Sequence, residues 1–486
     1  MRSVLPLAPV FAVSRCIARL TVLSAALLAG CAGFGPNHTP LASTTPAALG
    51  LNDANSIALA PRWWSSLNAP QLDQLVDQAL QGSPTLAVAR ARLSRAGAQA
   101  EISRANAGPQ ANLAIEVSRQ RYTENGLIPP PIAGSVRDNA TIQGGVSWSP
   151  DLFGGHAAEI ASTLGQARAA QADLASAANA LAAQVSRSYV ALARLLALRE
   201  VAQRALGQRD EVLGLTRQRT SAGLDSQVEL TQAEAALPDA RSQVEALNEQ
   251  VTLARRQLAV LTGQAPNALD DLSPAMDALT LDKLPVALGA DLLGRRPDVV
   301  AARWRVEAAT QDVTLARVQF YPNINLGAFI GLSSLGLGKL LDVGSRQYGI
   351  TPALRLPIFD GGRLRAQMEG RQADLDAAIA QYNSVLLDAV KEAGDAIASG
   401  QSLERQQREQ AVALAGADKA YGFSVQRYQA GLSSYLVVLN TESQLLAQRR
   451  RAVDLRARQF DTRVALMKAL GGGWTDDTAS LNVATH

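Results

Sequence analysis

The chain has 486 residues, a formal net charge of +3, and only 4% aromatic residues among 47% hydrophobic ones. A nearly neutral chain without basic runs or basic–aromatic clusters implies no nucleic-acid partner. A core of this size ordinarily uses more Phe, Tyr and Trp, so abundant Ala, Leu, Gln and Arg point to long helices packed closely over thin cores.

At the N-terminus Arg2, Arg15 and Arg19 precede the apolar run LTVLSAALLAGC. This is the layout of a signal peptide, residues 1–30, and it is too short for an ordinary membrane-spanning helix. Leu28-Ala29-Gly30-Cys31 resembles a bacterial lipobox, which implies that Cys31 becomes the lipidated first residue of the mature chain. The alternative is a plain signal peptide with an incidental cysteine. The only other cysteine, Cys16, lies in the segment to be removed, so the mature chain has no disulfide partner. Ala32, rather than an Asp, follows Cys31, which points to the outer membrane.

The chain is written twice. SPTLAVARARLSRAGAQAEISRANAGPQANL from Ser83 aligns without a gap to RPDVVAARWRVEAATQDVTLARVQFYPNINL from Arg296. Pro84 meets Pro297, Arg90 meets Arg303, Pro109 meets Pro322 and Leu113 meets Leu326. SPDLFGG (149–155) echoes LPIFDGG (356–362), and Ala-Gly-Leu-x-Ser occurs at 222–226 and again at 430–434. An internal duplication follows.

Each half opens with a helix that starts at Pro84 or Pro297 and stops before Pro109 or Pro322. A strand, a Gly/Pro/Ser-rich loop and a second strand come next. They cover 110–121 and 137–149 in the first half, and 323–332 and 346–356 in the second. A run without strong breakers then reads as one helix, 157–221 and again 369–429. Leu174, Leu181, Ser188 and Leu195 recur at sevens, as do Ala178, Val185 and Leu192, and later Leu375, Tyr382, Ala389, Ala396 and Leu403. A helix of this length runs about 100 Å and cannot bury its stripe alone. Gly223 and Gly431 are placed to reverse the chain through the left-handed conformation. The return helices, 226–261 and 434–470, begin at Ser residues suited to N-capping, and Pro238 is expected to kink the first.

The strands are of bilayer length, yet four strands leave open edges and cannot close a membrane barrel, so several chains must share one. The soluble alternative is two ordinary hairpins packed on helices.

Several motifs occur in order: FGPNHTP (34–40), WW (63–64), LDQLVDQALQGSPTLAVARARL from Leu72, and LLGRRPDVVAARWRV (292–306). FYPNINL (320–326), PIFDGGRLRA (357–366) and RYQAGLSSYL (427–436) complete the series. Together they resemble the TolC-like outer-membrane efflux channels, lipoprotein subfamily, over nearly the whole mature chain. The resemblance implies an α+β membrane protein. It is expected to form a homotrimer whose 12-stranded β-barrel, four strands per chain, continues into a periplasmic α-helical coiled-coil barrel with a mixed equatorial region. The implied organisation is a lipidated N-terminal and equatorial segment (31–109), a strand pair (110–149) and a long hairpin (150–262). An equatorial linker (263–296), a helix (297–321), a strand pair (322–356), a second hairpin (357–470) and a tail (471–486) follow. The implied partners are a periplasmic adaptor, an inner-membrane resistance-nodulation-division pump and outer-membrane lipid.

No catalytic constellation is present. The three histidines, His38, His156 and His486, are far apart, and no metal-binding, redox or phosphate-cradling motif occurs. The chain reads as no enzyme, with no cofactor beyond a covalent lipid on Cys31 and no metal. Arg295, Arg296 and Asp298 read as structural residues at a helix start. Transferred position by position, the resemblance puts the gate constriction at Leu436, Val437 and Asn440, where relatives carry one or two Asp at the latter two positions. An acidic, cation-binding ring is therefore replaced by an apolar-plus-amide one. The same transfer pairs Glu229 with Tyr428 as a latch that closes the tips.

The expected function is passive conduction of small toxic compounds away from an inner-membrane pump. A protein-secretion channel and a non-channel structural lipoprotein are the alternatives. The lipobox, the efflux motifs and the two bilayer-length strand pairs weigh against both.

Overall fold

A computed structural model describes residues 38–45, 49, 60–280 and 295–475. The signal segment, Cys31, part of the linker and the last residues of the tail lie outside the described residues. The chain divides into two compact units. One holds 97–166 and 305–379 with the described residues up to 42; the other holds 167–304 and 380–486 with 43–96, as far as these are described.

The elements are α1 (Pro70–Gly82), α2 (Pro84–Ala107), β1 (Gln110–Arg121), β2 (Val136–Trp148), α3 (Gly155–Ser221) and α4 (Gln227–Leu261). α5 (Pro297–Val318), β3 (Asn323–Leu335), β4 (Arg346–Arg355), α6 (Arg363–Gln429) and α7 (Tyr435–Ala469) follow. Each predicted strand and long helix is found, with ends displaced by a few residues. α3 and α6 are both 67 residues long, and α4 and α7 are both 35. The duplication is thus preserved in the lengths of the helices. Pro238 lies inside α4, which runs through it as one helix.

In the second unit, α1 buries Leu72, Leu75, Val76 and Ala79, a single stripe at helical spacing. They share a core with Trp63, Trp64, Val185, Tyr189 and Leu192. Trp63 Nε1 donates to Asn179 Oδ1 at 3.1 Å. Of the expected heptad stripes, Val185, Leu192, Leu375, Ala389, Ala396 and Leu403 are buried. Arg296, 6% exposed at its side chain, binds Asp298 through two nitrogens and reaches Glu392 Oε2 at 2.9 Å and Ala469 O at 3.2 Å. Its work is to tie helices together.

In the first unit the four strands form one antiparallel sheet in the order β1-β2-β3-β4. The register makes its two faces chemically distinct. Ile115 lies opposite Ile142, Ile142 opposite Leu332, Ile330 opposite Tyr348 and Ala328 opposite Ile350. Leu113, Val117 and Leu354 belong to the same parity, and this apolar face is exposed in the single chain. The other face carries Glu116 opposite Thr141, with Thr141 Oγ1 3.2 Å from Ser333 Oγ. On it Gln347 Nε2 donates to Gln143 Oε1 at 3.1 Å, past Gly331, where a Cβ would come within 2.2 Å of the Ile142 carbonyl. A strand alternates its side chains, so one sheet can be apolar on one face and polar on the other. Among the described residues no strand pairs with the outer edge of β1 or of β4.

Candidate functional site

The two Ala-Gly-Leu-x-Ser segments stand where α3 and α6 end. At each, Gly takes a positive φ, +72° at Gly223 and +76° at Gly431. Gly223 N–H donates to Thr220 O at 3.0 Å, and Leu224 N–H to Arg219 O at 2.9 Å. Gly431 and Leu432 repeat this with Tyr428 O at 3.0 Å and Arg427 O at 2.8 Å. Paired bonds of this kind satisfy carbonyls that a helix end leaves free, and they require the residue between them to be left-handed. The five-residue signature is therefore a helix stop followed by a helix start.

The two starts differ. Ser226 accepts from Val228 N–H at 3.1 Å, while Glu229 folds back to accept the Ser226 N–H at 3.0 Å. This is a capping box. Ser434 occupies the matching place with an extended backbone but makes no side-chain cap bond. Its third helical residue is Val437, which has no acceptor to return.

Glu229 is thereby spent on its own helix, and the expected Glu229–Tyr428 pair does not form. A carboxylate three residues after the N-cap points back along its own first turn. The partner of Tyr428 is Asp225, the variable residue of the first signature. Tyr428, fully buried, donates its hydroxyl to Asp225 Oδ2 at 2.6 Å and lies 2.9 Å from Thr216 Oγ1. Arg219 grips both oxygens of Asp225, at 2.9 and 3.1 Å, donates to Tyr428 O at 2.9 Å, and sets its guanidinium 4.7 Å from the centre of the Tyr428 ring. A bidentate ion pair inside the first hairpin thus presents a carboxylate and a guanidinium to Tyr428, and the two hairpins are joined by a charge-assisted hydrogen bond, an arginine–carbonyl bond and a cation–π contact. Leu213, Ala233, Tyr435 and Val438 pack around them.

The electrostatics follow from these contacts. The hydrogen bond from Arg219 holds the Asp225 carboxyl below its ordinary value of 3.8. Burial, then the bond to Asp225, pushes the Tyr428 hydroxyl up to about 12. A second tie joins the same hairpins. Arg209 donates to Glu442 Oε1 at 2.8 Å, to Asp239 Oδ2 at 3.2 Å and to Ala236 O at 3.0 Å, with Glu442 only 7% exposed.

Leu436, Val437 and Asn440 are exposed on α7, while Tyr435, Val438 and Glu442 on the same helix are buried. They share one unpartnered face of the single chain and take no part in the latch. The residues missed from the sequence are Asp225, Arg219, Arg209 and Glu442. The available signal was the Asp that replaces Ser in one copy of the signature, six residues after an Arg. Among the described residues, no group of His, Cys, Asp and Glu could hold a metal ion, and no helix is long and apolar enough to cross a membrane.

A sheet with one apolar face, joined in sequence to two long helical hairpins of equal length, defines a channel-forming envelope protein. The family profile of the outer membrane efflux proteins matches residues 75–264 and 288–472, and the chain belongs to that family. It is 30% identical to multidrug resistance outer membrane protein MdtP of Escherichia coli (strain K12) over 463 residues, 93% of this chain and 95% of that one. It is 31% identical to the putative multidrug resistance outer membrane protein MdtQ of the same strain over 461 residues, 92% of this chain and 96% of that one. Among solved structures it is similar to the outer membrane protein VceC of Vibrio cholerae, with a TM-score of 0.81 and 34% identity, covering 86% of this chain and all of that one. The protein is an outer-membrane efflux channel and not an enzyme.

Proposed function

We propose that three copies of this chain close a twelve-stranded barrel in the outer membrane. Through it small toxic compounds, drugs foremost, leave passively after delivery by an inner-membrane pump and a periplasmic adaptor. The observation that carries this reading is the sheet. Its apolar face continues across all four strands, its opposite face is polar, and both edges are open. In lipid an open edge leaves backbone groups unpaired, and closure by further copies satisfies them. The choice of drugs follows the multidrug resistance named for the relatives.

In this reading the hairpin tips form the gate. The Asp225–Arg219–Tyr428 latch holds the two hairpins of each copy together. The exposed Leu436, Val437 and Asn440 of three copies converge on the pore, with Leu excluding water and Asn offering neutral hydrogen-bonding groups. Cys31 carries the lipid that anchors the mature N-terminus.

Outer-membrane fractions run with and without heating test the assembly. A trimer band that collapses on boiling is expected, whereas a monomer that migrates alike in both lanes overturns the reading. The double variant Leu436→Ser, Asn440→Ser is expected to raise conductance in planar bilayers at unchanged trimer level. Asn440→Asp is expected to increase block by divalent cations, since crowded like charges favour bound counter-ions. Mass spectrometry of the mature N-terminus reads the lipid on Cys31 directly.

A further inference from the structure

A cleft lies where the sheet meets the helices, at the opposite end of α3 and α6 from the tips. The chain turns there from β2 into α3, from α5 into β3 and from β4 into α6. These three turns border a space of 460 Å³ within the first unit. Small-ligand sites typically measure about 300–1,000 Å³.

Part of the lining is apolar. Phe153 and Tyr321 stack with ring centres 5.0 Å apart and planes 15° apart, and Val318, Ile324 and Leu364 line the cleft with them. Ile324 also belongs to the apolar face of the sheet, lying opposite Leu354, just as Leu326 lies opposite Trp148. The cleft is therefore continuous with that face. Trp148, partly exposed at the same end, donates its indole N–H to Ala107 O at 3.2 Å. Aromatic rings with one polar edge gather at the interface between membrane and water. Ile358 and Phe359, just past the end of β4, are 86% and 92% exposed and extend the apolar border.

Charges of both signs line the same cleft. Arg355 and Arg363 supply guanidinium groups, and among the described residues neither reaches a carboxylate at ion-pair distance. Arg363 donates to Gln367 Oε1 at 3.1 Å. Asp151 is committed to the start of α3, where it accepts the Ala157 N–H at 2.9 Å. Glu159 accepts a long bond of 3.4 Å from Ser103 Oγ at one side-chain oxygen, which leaves the other available to a ligand. A ligand that suits this lining carries a phosphate and an ammonium together on an apolar body. Guanidinium groups fit phosphate oxygens, and a carboxylate fits an ammonium. A purely anionic headgroup would meet like charge at Glu159.

We propose that this cleft holds the headgroup of a zwitterionic glycerophospholipid, phosphatidylethanolamine. Its phosphate sits at Arg355 and Arg363, its ammonium at Glu159, and its acyl chains run along the apolar face of the sheet. The inference rests on the barrel reading, in which the end of the sheet that carries the helices lies at the periplasmic leaflet.

Native mass spectrometry of the full-length protein in mild detergent, given equal amounts of phosphatidylethanolamine and phosphatidylglycerol, tests it. The parent is expected to retain phosphatidylethanolamine in preference to phosphatidylglycerol. Arg355→Gln with Arg363→Gln is expected to lose the retained lipid, and Glu159→Gln to keep lipid but lose the preference. Inorganic phosphate and O-phosphoethanolamine, which lack acyl chains, are expected not to displace it. Displacement by either soluble compound, or equal retention by the parent and the arginine variant, overturns the lipid site. The heat-sensitive trimer band is read for every variant. Where the arginine variant fails to assemble, Glu159→Gln decides, and an unchanged preference overturns the assignment. Absence of the band in the parent overturns the barrel reading itself, whereas a parent trimer that retains no lipid overturns this inference alone.

Discussion

The first and second hairpin tips share their backbone and differ in their side chains. Both reverse through a left-handed glycine with the same two carbonyl bonds. The first carries Asp225, a capped Ser226 and Glu229; the second carries Ser433, an uncapped Ser434 and Val437. Backbone geometry demanded the same residues in both copies. Side chains free of that demand diverged, one tip keeping the charges of the latch and the other an apolar face. Conserved turn chemistry therefore marks where the chain reverses, and the residues that differ between the copies mark what each tip does.

The largest expected effect comes from removing the residue that distinguishes the first tip from the second. Asp225→Ala leaves the Arg219 guanidinium, 11% exposed, without its carboxylate, and loss of one member of a buried pair costs about 3 kcal/mol. Higher resting conductance in planar bilayers and susceptibility to large antibiotics are expected. A resting conductance equal to that of the parent would show that the latch does not hold the tip. Tyr428→Phe removes one hydrogen bond to a charged group, a loss of about 2 kcal/mol, and should lie between the two.

Proton concentration is a second way to undo the same contact. Asp225 has a folded value below 3.8, so its contribution is present above that pH and is lost as pH falls through the lowered value. Tyr428 has a value raised from 10.0 to about 12, so its contribution is present below 10.0 and is lost as pH rises toward 12. Resting conductance should be flat between these limits and rise outside them. Asp225→Asn, which has no carboxyl to titrate, should abolish the acid limb and raise the resting conductance across the remaining range.

The shared backbone is tested by paired substitutions. Gly223→Val and Gly431→Val each force a β-branched residue into a positive φ, at about 1–2 kcal/mol. A Cβ at Gly223 meets nothing within 4 Å, and one at Gly431 only Arg219 Nη1 at 3.8 Å, so the cost is conformational and should be equal at the two sites. Thermal unfolding followed by circular dichroism would register unequal shifts if the turns were not equivalent.

Glu229→Ala should have the smallest effect. It removes the returning half of the capping box, leaves the Ser226 cap on Val228, and keeps Asp225, Arg219 and Tyr428 in place. Unchanged resting conductance is expected. A rise as large as that of Asp225→Ala would return Glu229 to the latch.

Most of the architecture was legible in the sequence because it rests on local rules. Proline and glycine mark helix and strand ends through φ alone, so Pro84, Pro322, Gly223 and Gly431 placed the boundaries. Alternation along 110–121 and heptads along α3 and α6 identified strands and packed helices, since period follows from backbone geometry. The repeat announced the pairing of the halves, and the motifs in series announced the efflux family.

Which residues meet across two hairpins is a different kind of fact. Asp225 and Tyr428 are separated by two hundred positions, and nothing local tells a carboxylate that will cap its own helix from one that will cross to another. Glu229 and Asp225 are four residues apart and chemically almost alike. The capping box claims Glu229 because it stands three residues past Ser226; the tertiary packing of α3 against α6 and α7 brings Arg219 and Tyr428 to Asp225. The faces of the sheet divide the same way. Alternation gave each strand two faces, but only the register, with Ile115 across from Ile142 and Ile142 across from Leu332, joined four separate stripes into one apolar surface. Secondary structure obeys neighbours in sequence, and the cluster at Asp225 and the continuous apolar face of the sheet obey neighbours in space.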